Sequence, residues 1–451
     1  MIREAAAVLL LRGARSRSAA EVEVFLARRS PKLRFLGGFW AFPGGVKEAG
    51  DEDLVGCARR EIEEETGLAL AADLLDEVGR FVTPPFAPVR YDTVFFRAHV
   101  DDHPHPAHDG EELVDGRFFR PSRACEAWHA GELAIAPPVL FVLECLAAHG
   151  LEEGLARVRT EGERFVDGRL PPVRFSPGVM QASLRTPTLP PATTTNTYVV
   201  GRDELFVVDP ATPHADEQER LFDLLDRRVA EGARLAGVLL THHHEDHVGA
   251  AAATAARYGL EVRAHARTLD RLGGDAPRGA PIEDGETIAL GRAPDGTDGW
   301  TLSALHTPGH ARGHLCFLED RYGALVAGDM VSTVSTIVID PPEGHLATYL
   351  ASLERLRAAP GVRIVFPAHG PPFPFGPKIF ARYLAHRAER EEKLVAALRE
   401  RADTAEGLLP RVYDDVAEEV LPIAFRSLLA GLEKLAEDER VVRDGARYAL
   451  R

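Results

Sequence analysis

Apolar and polar positions along this chain change period several times, and the changes separate three blocks. In residues 1–150, apolar runs at 6–11 and 22–27 are typical of strands, and a glycine- and aromatic-rich turn then leads into a helix. Residues 137–149 have the pattern of a second helix. The charged, proline-containing residues 151–177 predict a connector with helix in its first half.

The second block, residues 178–375, alternates short apolar runs with helical segments, which predicts a mixed α/β domain. Its strand candidates are residues 205–208, 237–241, 323–327 and 363–366. The third block, residues 376–451, begins with a long helix pattern over 378–401. Two shorter helices follow, and the chain ends in two alternating runs around Asp444-Gly445, which predict a hairpin. Three helices followed by a hairpin form the order of a winged-helix module.

Composition narrows the class of protein. With 451 residues, 45% hydrophobic and 27% charged, the chain is typical of a soluble multidomain protein. No apolar run approaches the ~20 residues of a membrane-spanning helix, and residues 5–11 are too few for a signal peptide. The four cysteines lie far apart, so no disulfide framework is expected and the cytoplasm is the predicted compartment. The net charge of −16 argues against non-specific nucleic-acid coating, although a local basic groove stays open.

The first chemical signal is an acidic helix over residues 60–68. Glu61, Glu64 and Glu65 are spaced so that three carboxylates share one helix face. Because like charges repel, a hard divalent cation such as Mg²⁺ would stabilise this face, and Arg60 could pair with one of the acids. The alternative is a solvated acidic face without a ligand.

Gly44-Gly45 before this helix and Gly67 after it complete a pattern that resembles the Nudix box. The resemblance implies an α/β/α sandwich that hydrolyses a nucleoside diphosphate linked to another group. It also implies that Glu61, Glu64 and Glu65 hold Mg²⁺, and that Glu64 and Arg60 belong to the catalytic set. The loop has one extra residue, so either Asp51 or Glu52 fills the accessory acidic position.

Residues 80–96 resemble the coenzyme A diphosphatase branch of the Nudix hydrolases, as does Ala136-Pro137-Pro138. Within this stretch, Arg90 could equally be a structural arginine paired with Asp92.

The second signal is a histidine-rich loop, Thr241-His242-His243-His244-Glu245-Asp246-His247, after a strand-like run. Such a loop can offer ligands to two adjacent metals, and imidazole with carboxylate suits zinc. Further candidate ligands follow later in the chain at His310, Asp329 and His369.

These motifs resemble the metallo-β-lactamase superfamily, whose domain is an αββα sandwich. The resemblance assigns the first metal to His242, His244 and His310, the second to Asp246, His247 and His369, and a bridging role to Asp329. It implies two Zn²⁺ ions, although iron and manganese tolerate the same ligands. Water activated by the metals, with a pKa near ~7, would attack the substrate, with Asp246 in the catalytic set. His306 and His314 lie beside this set and are interpreted as supporting or structural residues.

Details of the loops distinguish branches of the superfamily. Asp246 and Asp329 are typical of its thioesterases and phosphodiesterases, which argues against antibiotic hydrolysis. Thr241-His242-His243-His244 is similar to glyoxalase II, a thioester hydrolase. Asn196-Thr197-Tyr198 and Pro367-Ala368-His369 resemble lactamase-like endoribonucleases, which also end in a winged-helix-like region.

The third block has 14 lysines and arginines against 15 acidic residues, so it lacks the basic excess of most nucleic-acid-binding modules. It could therefore be a lid or dimer element as well as an RNA-binding one. Arg387 and Arg390 lie three residues apart and could reach one anionic group together, or pair with neighbouring acids.

The sequence thus predicts a bifunctional hydrolase with a nucleotide or coenzyme A-type small molecule as substrate and no membrane partner. A coenzyme A thioester would unite the two sites, because it contains both a pyrophosphate and a thioester. Two alternatives stay open: cleavage of single-stranded RNA by the second domain, and a Nudix domain that only senses a nucleotide. A homodimer through the second or third block is compatible with the pattern.

Overall fold

The computed structural model describes residues 2–13, 22–33, 36–85, 87, 89–107, 110–166, 168–273 and 276–451. These residues form two compact units. The first comprises Met1–Ser183, Glu219–Ala233 and Arg292–Asp298, and the second comprises Leu184–Gln218, Arg234–Gly291 and Gly299–Arg451. Among the described helices, none combines the length and the apolar character needed to cross a membrane.

The first 183 residues contain the two predicted strands and the predicted helices, together with further strands. The strands are β1 (Ile2–Arg12), β2 (Glu23–Arg29), β3 (Trp40–Ala41), β4 (Gly44–Val46), β5 (Asp76–Val82), β6 (Arg90–His99), β7 (Leu113–Phe119) and β8 (Val173–Ser176). The helices are α1 (Leu54–Thr66), α2 (Pro121–His129), α3 (Pro137–His149) and α4 (Leu151–Val166), with a 3-10 turn at Ala72–Leu74. Strand β9 (Val179–Arg185) pairs antiparallel with β8.

One mixed sheet forms the centre of the first unit. Its strands have the order β3-β2-β1-β6-β5, with β4 paired to β1 and β7 to β2, and β1 runs parallel to β6. Alternate residues of β1 enter two different cores, because successive side chains of a strand point to opposite faces. Leu9 and Leu11 pack with α2, α3 and α4, whereas Val8 and Leu10 pack with α1. The predicted α/β/α sandwich is thereby confirmed.

The second unit contains two sheets and the helices that cover them. The strands are β10 (Thr194–Gly201), β11 (Glu204–Val208), β12 (Arg234–Leu239), β13 (Val262–Arg263), β14 (Thr287–Arg292), β15 (Asp298–His306), β16 (Leu315–Glu319), β17 (Ala324–Gly328) and β18 (Ile364–Pro367). Helix α5 (Ala215–Ala230) begins in this unit, but its residues from Glu219 onward belong to the first unit. The other helices are α6 (Glu245–Val248), α7 (Ala251–Tyr258), α8 (Ala266–Leu269) and α9 (Leu346–Ala358).

The strand order determines where the loops that carry the candidate metal ligands lie. One sheet has β10, β11, β12 and β13 as successive neighbours, and the other has the order β14-β15-β16-β17-β18. The β11–β12 and β17–β18 pairs are parallel. The histidine-rich loop follows β12, Asp329 follows β17, and His369 follows β18. These groups therefore stand at the carboxyl ends of strands, and the predicted αββα fold is confirmed.

The C-terminal region folds as the predicted winged-helix module. Its elements are α10 (Pro377–Glu400), β19 (Asp403–Thr404), α11 (Ala405–Val412), a 3-10 turn at Glu418–Val420, α12 (Leu421–Glu437), β20 (Val441–Asp444) and β21 (Arg447–Leu450). Strands β20 and β21 form the hairpin, and β19 pairs with β21. Leu398, Leu408, Leu428 and Leu432 give the module a core of its own.

Candidate metal centre and acidic helix

The histidine-rich loop is shaped by a buried aspartate, Asp209, just beyond β11. Strand β12 ends at Leu239, two residues before Thr241, where the sequence predicted the end of the strand. The Thr241 N–H donates to Asp209 Oδ1 at 2.7 Å, and its hydroxyl donates to Oδ2 at 2.6 Å. Because these groups bond to a carboxylate rather than to a neighbouring strand, the chain leaves the sheet and delivers the ligands that follow.

Three imidazole nitrogens of the first predicted metal set face one another. His244 Nδ1 lies 2.9 Å from His242 Nε2 and 3.0 Å from His310 Nε2. Burial, together with the neighbouring imidazoles, holds the pKa of His242 well below its usual value and lowers that of His244 to about 2. Neutral rings at these distances offer lone pairs, which suits a shared cation.

The second predicted set meets the first through Asp329. Asp329 Oδ1 lies 3.3 Å from His369 Nε2 and 3.6 Å from His247 Nε2, while Oδ2 lies 3.4 Å from His310 Nε2. Asp246 Oδ2 lies 3.6 Å from His369 Nε2. The two oxygens of Asp329 thus face the two groups of histidines, as a bridging ligand would.

The outward nitrogen of four of these rings has a fixed hydrogen-bond partner. The partners are the Thr241 hydroxyl for His242 (3.0 Å), Asp209 Oδ2 for His247 (2.9 Å), the Val338 carbonyl for His310 (2.9 Å) and the Thr194 carbonyl for His369 (3.1 Å). Such outer bonds orient metal-ligating imidazoles and leave the inner nitrogen free to bind.

Two buried ligand atoms of the pocket have no hydrogen-bond partner among the described residues. His247 Nε2 and Asp329 Oδ1 are buried without a hydrogen-bond partner, which is costly in a protein interior. Ligand atoms lie within 4.8 Å of one another in three groups: His242-His244-His310, His242-His247-Asp329 and Asp246-His247-His369. The residues present therefore fit a pair of divalent ions held by imidazole and carboxylate.

Residues outside the ligand set support it to different degrees. His314 is buried, and its Nε2 accepts a hydrogen bond from the Asp329 N–H at 3.1 Å. His306 instead contacts the Arg312 carbonyl and stacks on His265. The structure thus separates the supporting His314 from the peripheral His306.

Three residues outside the predicted ligand set also support it. Asp209 lacked a pattern of its own, although an acid directly after the buried run Val207-Val208 and before a proline is a usable signal. The Thr195 hydroxyl, also buried, donates to Asp246 Oδ2 at 3.3 Å. Asn196 donates to the carbonyls of Pro367 and Gly370 at 2.9 and 2.8 Å, which fixes the turn that carries His369.

The acidic helix α1 of the first unit is organised around Arg60. Arg60 donates to Asp51 through two nitrogens at 3.0 and 2.9 Å, to Glu61 at 2.8 Å and to Glu64 at 3.0 Å. Asp51 rather than the exposed Glu52 therefore lies beside the arginine. Arg60 thus pairs with two glutamates of the acidic face, where the sequence suggested a pair with one.

Glycine lets the preceding strand approach this helix. A side chain at Gly45 would place its Cβ 2.5 Å from the Glu61 carboxylate, and the Gly44 N–H donates to Glu65 Oε2 at 2.7 Å. Within the described residues, all groups of three or more candidate metal ligands whose ligand atoms lie within 4.8 Å of one another belong to the second unit. Glu61, Glu64 and Glu65 thus share one helix, but their carboxylates do not converge as the histidine set does.

The buried carboxyl of Glu65 gives the metal-free protein a specific pH dependence. Burial raises its pKa from 4.5 to about 8, so the folded state retains a proton that the unfolded chain releases. This stabilisation is complete below about pH 4.5 and is lost as pH rises through about 8. As the pH rises from about 5 to about 8, the free energy of unfolding of Glu65→Gln should therefore increase by about 3–4 kcal/mol relative to that of the parent.

Denaturant titrations in EDTA would measure this difference. In a Trp300→Phe background the remaining tryptophans, Trp40 and Trp128, report on the first unit. A difference between variant and parent that does not change with pH would contradict a raised pKa for Glu65.

In residues 80–96, Arg90 does not form the pair with Asp92 that the sequence offered as one interpretation. Asp92 forms an ion pair with Arg80, whereas Arg90 donates to the Thr83 carbonyl at 2.8 Å. Arg90 is therefore a structural residue of the β5–β6 hairpin, but its partner is a carbonyl rather than Asp92.

Comparisons with known families agree with the three folds. A family model described as Metallo-beta-lactamase superfamily matches residues 190–369, a NUDIX domain model matches residues 1–137, and a Beta-lactamase associated winged helix domain model matches residues 404–448.

Curated relatives match a little over half of the chain. Atrochrysone carboxyl ACP thioesterase AacuM of Aspergillus aculeatus is 30% identical over 271 residues, which cover 56% of this chain and 80% of the relative. Lactamase-like protein adaB of Aspergillus niger is 32% identical over 268 residues, covering 56% of this chain and 78% of the relative.

A solved metallo-beta-lactamase family protein from Thermus thermophilus has 25% identity and a TM-score of 0.50, covering 61% of this chain and 99% of that protein. Fold and family matches together define a hydrolase with a divalent-metal site. The chain belongs to the metallo-beta-lactamase superfamily, with a NUDIX domain before the lactamase fold and a winged helix after it.

Proposed function

We propose that the histidine–aspartate centre hydrolyses a thioester of a coenzyme A- or carrier-bound acyl group. The observation that carries this proposal is the convergence of two imidazole groups on Asp329, where His247 Nε2 and Asp329 Oδ1 are buried without a hydrogen bond among the described residues. The thioesterase named among the relatives supports the thioester class. RNA cleavage has no comparable support, because the winged helix carries no basic excess.

The chain's own residues supply orientation and proton handling. His242, His244 and His310 would hold one divalent ion, and Asp246, His247 and His369 the other, with Asp329 between them. Two ions in this donor set, zinc by ligand preference, would supply Lewis acidity and a water with a lowered pKa. Asp246, oriented by the Thr195 hydroxyl, would accept the proton released as water attacks the carbonyl carbon and return it to the leaving thiolate.

For the first unit we propose Mg²⁺-dependent cleavage of a pyrophosphate in a nucleotide, with a coenzyme A derivative as the substrate to test first. Glu61, Glu64 and Glu65 would bind the cation, and Arg60 would hold the acids in position while Asp51 anchors the arginine. The raised pKa of buried Glu65 indicates that cation binding must displace a proton at neutral pH.

Mass spectrometry of an acyl-coenzyme A incubated with the full-length protein, Mg²⁺ and Zn²⁺ tests both halves. Free acid plus intact coenzyme A is the expected product of the histidine centre. Adenosine 3′,5′-bisphosphate plus acyl-phosphopantetheine is the expected product of the first unit. An acyl carrier protein thioester would serve as a second substrate for the histidine centre.

Matched variants assign each product to a site. Asp329→Asn should remove only the free acid, and Glu64→Gln only the bisphosphate. If neither coenzyme A nor carrier thioesters are cleaved, the proposal fails, and single-stranded RNA becomes the next substrate to test.

A further inference from the structure

An irregular segment, residues 329–345, links two ligands of the histidine centre. It begins with Asp329, and its Val338 carbonyl accepts the hydrogen bond from His310 Nδ1 at 2.9 Å. At its end, the His345 N–H donates at 2.7 Å to the carbonyl of Gly309, the residue before His310. The segment contains neither helix nor strand, so its shape depends on what packs against it.

Arg387 of α10, in the C-terminal region, is one of the groups that pack against this segment. Its guanidinium donates to the carbonyl of Ile337, the residue before Val338. The side chain is buried, with the residue 8% exposed. It does not share an anionic group with Arg390, which instead pairs with Asp415 and stacks on Tyr413.

Arg387 also contacts Tyr349, which bonds to the chain next to Asp329. Its guanidinium lies 5.5 Å from the centre of the Tyr349 ring. The Tyr349 hydroxyl donates at 2.7 Å to the carbonyl of Met330, the residue after Asp329. A Cβ at Gly309 would lie 2.3 Å from Tyr349 Cα, so the tyrosine also touches the turn that carries His310.

Further contacts from the same module converge on the segment. The Tyr383 hydroxyl accepts from the Ser332 N–H at 2.7 Å and lies 2.9 Å from the carbonyl of Ser335. From α12, Arg426 pairs with Asp340, and Glu437 lies 3.0 Å from His345 Nε2. Four side chains of the winged-helix module, which includes α10, thus contact the segment: Tyr383, Arg387, Arg426 and Glu437.

The contacts of Arg387 do not favour a purely stabilising role. They join the buried guanidinium to a carbonyl and an aromatic ring rather than to a carboxylate. Burying a cation without a carboxylate partner costs free energy that an apolar side chain would avoid. Because the guanidinium is a planar donor with fixed geometry, it can hold the Ile337 carbonyl and the Tyr349 ring in a defined relative orientation.

We propose that Arg387 is a positioning residue through which the C-terminal module aligns His310 and Asp329 for metal binding. This inference rests on the metal assignment and not on the thioester substrate. Groups that hydrogen-bond to metal ligands typically change metal affinity by about 10- to 100-fold when removed, and Arg387 acts on such a group, the Val338 carbonyl, by holding the neighbouring Ile337. A similar loss is expected here, and it should be largest for the ion that His310 and Asp329 share.

Metal affinity of the full-length protein tests the proposal without reference to turnover. Arg387→Met, Arg387→Lys and the control Arg390→Met would be titrated with Zn²⁺ against a chelator of known affinity. Co²⁺ spectra would report the geometry of the ligands. Arg387→Met should weaken binding of one ion by about 10- to 100-fold, and lysine should restore part of the loss. Arg390→Met should leave the affinity within about two-fold, because its contacts avoid the segment.

Unchanged Zn²⁺ affinity in a folded Arg387→Met protein would overturn the proposal. An equal loss in Arg390→Met would do so too, since it would indicate general loosening of α10. If Arg387→Met does not fold, Tyr383→Phe decides instead, because it removes only a hydroxyl that holds Ser332 and Ser335. That variant should bind one ion several-fold more weakly, and parental affinity would overturn the proposal.

Discussion

Replacing Asp329 with asparagine is expected to abolish the activity of the histidine centre and to lower its metal content from two ions to one or none. The two carboxylate oxygens lie 3.3 to 3.6 Å from nitrogens of His247, His369 and His310, so a single neutralised side chain affects both groups of ligands. Water activated by metal supplies several kcal/mol, so kcat/KM should fall by at least about 10³-fold. Metal analysis after gel filtration and steady-state kinetics would measure the two effects.

Asp320→Asn is the matched control, since it makes the same change at a structural aspartate near the end of β16. Asp320 bonds to the Thr301 backbone and hydroxyl at 3.0 and 2.7 Å, so its loss should affect stability but not metal content. Two ions bound by Asp329→Asn, with activity near the parental value, would refute a bridging role for Asp329.

The elements whose bounds the sequence predicted are present in the structure, and the differences in their bounds have physical causes. Helix α3 matches the predicted residues 137–149 because proline begins it and Gly150 ends it. Strand β12 stops short of Thr241 because Asp209, 32 positions earlier in the chain, takes the hydrogen bonds of that residue. Residues 151–177 contain α4, where the sequence predicted helix, and β8, which the charged composition did not indicate; both lie within the first compact unit.

The candidate site shows the same division between local and remote information. Ligand types and spacing could be predicted from adjacent letters such as His242, His244 and His247. Their supports could not, because the carbonyls of Thr194 and Val338 carry no sequence signal and meet their histidines only in the folded chain. The positioning role of Arg387 was hidden for the same reason: sequence spacing paired it with Arg390, whereas folding gave each arginine a different partner.

Replacing Glu64 with glutamine is expected to remove pyrophosphatase activity while nucleotide binding and folding persist. The Glu64 side chain is 60% exposed and its contact is one ion pair with Arg60, so stability should change by no more than about 0.5 kcal/mol. If Glu64 binds the Mg²⁺ that activates water, turnover of a coenzyme A derivative should fall by about 10²- to 10³-fold. Calorimetry for affinity and product analysis for turnover would separate the two quantities.

Glu63→Gln is the matched control, because Glu63 is an exposed glutamate of the same helix outside the predicted metal face. It should keep parental turnover, whereas a loss equal to that of Glu64→Gln would indicate a non-specific charge effect. The sensor alternative makes a different forecast: the parent would bind the nucleotide without cleaving it, and neither variant would change the products. Cleavage by the parent and its loss only in Glu64→Gln would therefore establish catalysis over sensing, because a domain that only senses has no turnover for a single exposed carboxylate to control.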